Sequence, residues 1–130
     1  MQENRRTRLR FCVAGARLPV CLLLALAPAA ARADAPPPPS FARDVAPVLD
    51  RWCTSCHGPR HQHAGLRLDS YAAALGGGDS GPAIVAGDPD QSLLVAKIER
   101  RDRPAMPPRR TLPKAAVAAL RAWIAAGALP

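Results

Sequence analysis

Apolar positions along this chain recur at helical spacing and never alternate for long enough to build a sheet. Phe41, Val45, Val48, Leu49 and Trp52 fall on one helical face. Pro47 is tolerated only in a first turn, so a regular helix is expected to start near Asp44 and to run straight into Cys53. Asp69 or Ser70 offers an N-cap for a short helix through Leu75, which Gly76-Gly77-Gly78 would stop. Gly81 to Ala86 reads as extended. Asp88, with Pro89 behind it and Gln91 three residues on, has the form of a capping box for a helix whose apolar face is Leu93, Leu94 and Ile98. The last helix is expected from about Pro113 to Ala126, with Val117, Leu120, Trp123 and Ile124 on one face and Gly127 at its end. The expected fold class is therefore all-α, in one small domain.

A different kind of apolar run lies upstream. Val20 to Ala31 is short, is interrupted by Pro28, and follows Arg5, Arg6, Arg8, Arg10 and Arg17. Ala31-Arg32-Ala33 then supplies a small-x-small site, so residues 1–33 read as a secretory signal peptide cleaved before Asp34. The run is shorter than the roughly twenty residues that span a bilayer. Export, to a periplasm or its equivalent, is the expectation, and membrane attachment follows only if the leader stays on as an anchor. Residues 34–40 contain Pro36 to Pro39 and form a stiff polyproline spacer. Residues 41–130 remain as the folded domain.

This division changes the meaning of the charge. The whole chain of 130 residues carries +8, which ordinarily suggests nucleic acid or an anionic surface. Without residues 1–33 the balance is twelve bases against nine acids, and no run of aromatics accompanies them. Nucleic-acid binding loses its support. The remaining basicity sits in residues 97–110, where Lys97, Arg100, Arg101, Arg103, Arg109 and Arg110 face only Glu99 and Asp102. A solvated loop explains such a cluster; so does a docking face for an acidic redox partner.

Cys53-Thr54-Ser55-Cys56-His57 carries the chemistry. Two thiols separated by two residues and followed by histidine are the attachment signature of a c-type haem. One helical turn lets both sulfurs link to the macrocycle while the next residue turns its imidazole onto the iron. An export leader and the lack of any other cysteine after residue 33 strengthen the reading. A Cys53–Cys56 disulfide would close only a tiny loop and staple little of the fold. Zinc is the better rival, with Cys53, Cys56, His61 and His63 as a two-Cys, two-His set, although the two histidines stand too close for the usual finger spacing.

Met106 is the one methionine after the leader, and Pro104, Pro107 and Pro108 stiffen the loop around it. Its thioether is the expected distal iron ligand opposite the proximal ligand His57. Were Met106 not to ligate, the open sixth position would instead suit a haem enzyme or sensor. His61 and His63 follow His57 too closely to pass around the macrocycle and read as solvated loop residues.

These residues together resemble the Planctomycete-type cytochrome c domain, a compact branch of the class I cytochrome c fold. The resemblance runs from about Phe41 to Leu129 through FARDVAPVLDRWCTSCHGP, GLRLDSYAAALGGGDSGPAIVAGDPDQSLL, MPP and ALRAWIAAGAL. It implies a small helical fold wrapped around one haem c, covalent on Cys53 and Cys56, with His57 and Met106 as axial ligands. It implies also that the first and last helices cross, bringing Val48, Leu49 and Trp52 near Leu120, Trp123 and Ile124. The chain departs from the family pattern at Leu112-Pro113-Lys114, where a Ser/Thr cap usually stands, so the last helix should open without a side-chain cap. Arg67 reads either as a structural residue or as a partner for a haem propionate. The expected function is one-electron transfer by an exported electron carrier, not catalysis.

Overall fold

A computed structural model describes residues 36–130, and the leader assigned to residues 1–33 lies outside them. Four α-helices make up the described region: α1 (Ala46–Trp52), α2 (Tyr71–Gly76), α3 (Leu93–Ile98) and α4 (Lys114–Ala125). Among the described residues there is no strand, only the isolated bridges His57–Gln62 and Gly78–Gly81. The all-α expectation holds.

The first helix begins differently from its sequence signals. A π-helical turn over Phe41–Val45 precedes α1, which leaves Pro47 in the first turn of α1. Ser40, rather than Asp44, is the cap. Its hydroxyl accepts from the Arg43 N–H, and the Asp44 carboxylate reaches back to the Ser40 N–H at 2.8 Å. Two orphan donors are thereby satisfied one turn earlier than the proline suggested.

The π-helical turn makes the contact with the C-terminal helix. Phe41 and Trp123 have ring centroids 5.7 Å apart, and the Leu129 carbonyl accepts from both the Phe41 N–H (3.1 Å) and Trp123 Nε1 (2.6 Å). Val45 and Leu49 are fully buried in one core with Leu120, Trp123 and Ile124. Val48 and Trp52 lie at the margin of this core, half exposed. Large apolar side chains drawn out of water on both helices hold the two ends of the described region together.

The middle segments follow their local signals in part. Ser70 caps α2 by accepting from the Ala73 N–H. Asp88 does not start α3. Its carboxylate accepts from the N–H groups of Asp90 and Gln91 in a turn, and α3 begins at Leu93. The reason is Ser92, wholly buried, whose hydroxyl accepts from the Val85 N–H (2.9 Å) and donates to the Asp88 carbonyl (2.8 Å). That commitment to the preceding loop holds Ser92 extended and delays the helix. At α4, Pro113 stands at the N-cap position with no side-chain cap bond, as the Leu112-Pro113-Lys114 departure predicted. Gly127, at φ +96°, ends the helix in a conformation that side chains rarely adopt.

Candidate functional site

Cys53 caps the C-terminus of α1, donating its N–H to the Leu49 carbonyl at 2.8 Å. The chain then turns on itself, because the N–H groups of Cys56 and His57 both point to the Cys53 carbonyl, at 3.1 and 2.9 Å. Thr54 tightens the turn by donating its hydroxyl to the Asp50 carbonyl at 3.0 Å. Gly58 is required next, since a Cβ there would run into the Thr54 carbonyl oxygen. These local bonds bring Cys53, Cys56 and His57 to the wall of one cavity of about 450 Å³, a volume within the range of cofactor pockets.

The opposite contribution comes from α3 and the loop beyond it. Leu94 and Ile98 of α3 line the same cavity, together with Leu68 and Met106. Met106 is set in place from α3, donating its N–H to the Lys97 carbonyl at 3.1 Å. The site therefore gathers two thiols, an imidazole and a thioether from positions up to 53 residues apart in the chain. Basic side chains of Lys97, Arg109 and Arg110 stand at its edge.

Both cysteines are free thiols, Cys53 half-buried and Cys56 exposed. Burial, with the nearby Cys56 as a smaller cause, pushes the Cys53 thiol up to about 11. The His57 ring makes no hydrogen bond to the described protein, and its Nδ1 is buried without a partner. A buried polar atom left alone is costly, and an imidazole held free of protein partners beside two thiols is the donor set that a covalently attached haem uses. The residues present fit that group.

Other candidates from the sequence lie elsewhere. His61 and His63 are exposed, stacked on each other with ring centroids 6.5 Å apart, and neither lines the cavity. Among the described residues no three His, Cys, Asp or Glu side chains gather as a metal-binding group. The zinc set of Cys53, Cys56, His61 and His63 is thus not assembled, because the turn after His57 carries the two histidines outward while the thiols face the cavity. Arg67 is also outside the cavity. Its guanidinium pairs with both oxygens of Asp69, at 2.9 and 2.7 Å.

Two participants were not legible beforehand. Trp52 is a cavity wall as well as a half-buried neighbour of the core, with the Arg110 guanidinium 4.9 Å from its ring centroid. Lys97 contributes more than its charge, since its backbone carbonyl holds Met106. The basic cluster itself divides. Lys97 pairs with Asp102 at 3.2 Å, and Arg101 and Arg121 share Glu99 and Asp90. Arg100, Arg103, Arg109 and Arg110 have no acidic partner among the described residues.

No helix among the described residues is long and apolar enough to cross a membrane. Neither the curated proteins nor the solved structures contain a match to the chain. One family model does match, over residues 53–110, and its description is Planctomycete cytochrome C. The matched segment begins at the first thiol of the cavity and ends at Arg110, so it holds all four cavity groups singled out above. Residues 53–110 of this chain are a domain of the Planctomycete cytochrome C family.

Proposed function

We propose that this protein is an exported c-type cytochrome that carries single electrons through one haem, held covalently by Cys53 and Cys56 with His57 and Met106 as axial ligands. The observation that carries the reading is the convergence of these four side chains on one largely apolar cavity within the family segment. Bound there, the haem supplies a ferric/ferrous couple.

The chain's own residues do the rest. Cys53 and Cys56, at the end of α1, hold the group through thioether links and so fix it relative to the core. His57 offers its imidazole with no protein bond to break. Met106 offers a soft thioether, a ligand that raises the reduction potential. Leu68, Leu94 and Ile98 exclude water and keep the local dielectric low, which tunes the potential further.

The basic rim suits an acidic redox partner docking near Lys97–Arg110. Lys97 and Arg101 are already neutralised by acids, and of the four arginines without an acidic partner among the described residues Arg100 and Arg103 are the two that do not line the cavity. Replacing both with glutamine is expected to slow reduction by an acidic partner protein at low salt and to flatten its salt dependence. Unchanged rates and slopes would remove the docking face.

A pyridine haemochrome spectrum with intact mass on periplasmically produced protein tests the cofactor. One haem per chain, retained after acid-acetone extraction, is expected; loss of the haem on extraction would contradict attachment at Cys53 and Cys56. A low-spin ferric spectrum with a methionine-to-iron charge-transfer band, lost in Met106→Ala, is expected for the axial pair. A high-spin ferric spectrum would transfer the assignment to an enzyme or sensor with an open position.

A further inference from the structure

The loop that presents Met106 is anchored unevenly. Upstream, Lys97 holds it twice: its carbonyl accepts from the Met106 N–H at 3.1 Å, and its ammonium group donates to the Arg103 carbonyl at 2.8 Å. Downstream, residues 107–111 make a turn at Pro108–Arg109 but no ion pair or hydrogen bond to other parts of the described chain, and the chain is next fixed where Leu112 enters the core. One contact bridges this stretch. The Arg110 guanidinium lies over the Trp52 ring at 4.9 Å, inside the range of about 6 Å at which a cation is drawn to an aromatic face. Trp52 is the last residue of α1 and the neighbour of Cys53, and both Trp52 and Arg110 line the cavity. The pair ties the Met106 loop to the helix that carries the attachment cysteines.

We propose that Arg110 and Trp52 form a latch across the cavity rim, which makes Arg110 a positioning residue for the Met106 thioether. The inference rests on the reading of Met106 as an axial ligand. Neighbouring cations do not share the role. Arg109 lines the same cavity but stacks on no ring among the described residues. Arg51 lies 5.8 Å from the Trp52 centroid, but it belongs to the same helix and bridges nothing. Arg110 pairs with no carboxylate among the described residues, so its guanidinium is free for the ring. The latch also accounts for Trp52 standing at a rim when its helical spacing suggested the core. An aromatic there gives the loop a flat, apolar and cation-attracting surface to close upon.

The test is competition for the iron position by neutral imidazole, at about pH 8 so that imidazole itself is uncharged. It binds only molecules whose Met106 has left, and its apparent affinity therefore follows the open population. The readout is the methionine-to-iron charge-transfer band of the ferric holoprotein, normalised to haem content. In Arg110→Gln the apparent imidazole affinity should rise about two- to fivefold, the range for an exposed cation–π contact. Arg110→Lys, which keeps a cation over the ring, should restore most of the wild-type value. Trp52→Leu should match Arg110→Gln, and the double variant should go no further than either alone.

Arg51→Gln should leave the affinity unchanged. An unaltered affinity in Arg110→Gln overturns the latch, and so does an equal rise in Arg51→Gln, which would reduce the effect to charge. If Trp52→Leu does not accept haem, the arginine series decides alone. A wild type without the charge-transfer band loses the axial-ligand reading and the latch together. A wild type with the band and an indifferent Arg110→Gln loses the latch only.

Discussion

Replacing Ser92 with alanine removes one oxygen from a residue that is wholly buried at the start of α3. The hydroxyl accepts from the Val85 N–H at 2.9 Å and donates to the Asp88 carbonyl at 2.8 Å, so it joins the 85–88 loop to the helix behind the cavity. Each such bond contributes about 1 kcal/mol net, and backbone partners left unsatisfied add to the loss. The alanine variant is expected to lose about 2 kcal/mol. In a domain of this size that lowers the melting temperature by roughly 8–16 °C. The measurement is thermal and urea unfolding of the holoprotein by far-UV circular dichroism. Ser70→Ala serves as the comparison, because its hydroxyl makes a single cap bond with the Ala73 N–H and should cost about 1 kcal/mol. A Ser92→Ala loss below about 0.5 kcal/mol, or one smaller than that of Ser70→Ala, would refute the account of why α3 starts where it does.

Trp123→Phe deletes the 2.6 Å bond to the Leu129 carbonyl but leaves that oxygen the Phe41 N–H, so urea unfolding should show a loss of about 1–2 kcal/mol. Trp123→Ala should lose about 3–5 kcal/mol, through the cavity it opens. Asp44, Asp69, Asp90 and Asp102 all titrate below their ordinary value of 3.8, chiefly through hydrogen bonds from Arg43, Arg67, Arg121 and Lys97 respectively. Depressed folded-state values stabilise the fold above the unfolded value and lose that contribution as pH falls through the folded ones. Stability should thus be flat between about pH 7 and 5 and decline below about pH 4, and a urea midpoint that rose on acidification would contradict this. Expression without haem attachment should give low helicity and a broad melt, since a largely apolar cavity of about 450 Å³ would face water; near-native helicity with a sharp transition would defeat the idea.

Residue by residue, the local part of this protein was legible in its sequence. The Cys53-Thr54-Ser55-Cys56-His57 turn, the Ser70 cap, the stop at Gly127 and the uncapped start of α4 all depend on neighbours within about one turn, and a short-range signal suffices for each. The helical class followed from the spacing of Phe41, Val45, Leu49, Leu120, Trp123 and Ile124, because that spacing is what lets two helices bury one face each.

Only the tertiary structure decided which of several adequate local signals would prevail. Asp88 and Ser92 both suit a helix start, and the burial of Ser92 against Val85 settled the matter. Ser40 and Asp44 both suit the first cap, and packing of Phe41 on Trp123 drew the turn one step earlier. Nothing in the spacing distinguished Arg101, neutralised by Glu99 and Asp90, from Arg110, stacked on Trp52. The physical reason is the same in each case. A sequence lists which groups are able to bond, whereas burial selects which of them lose water and must find a partner.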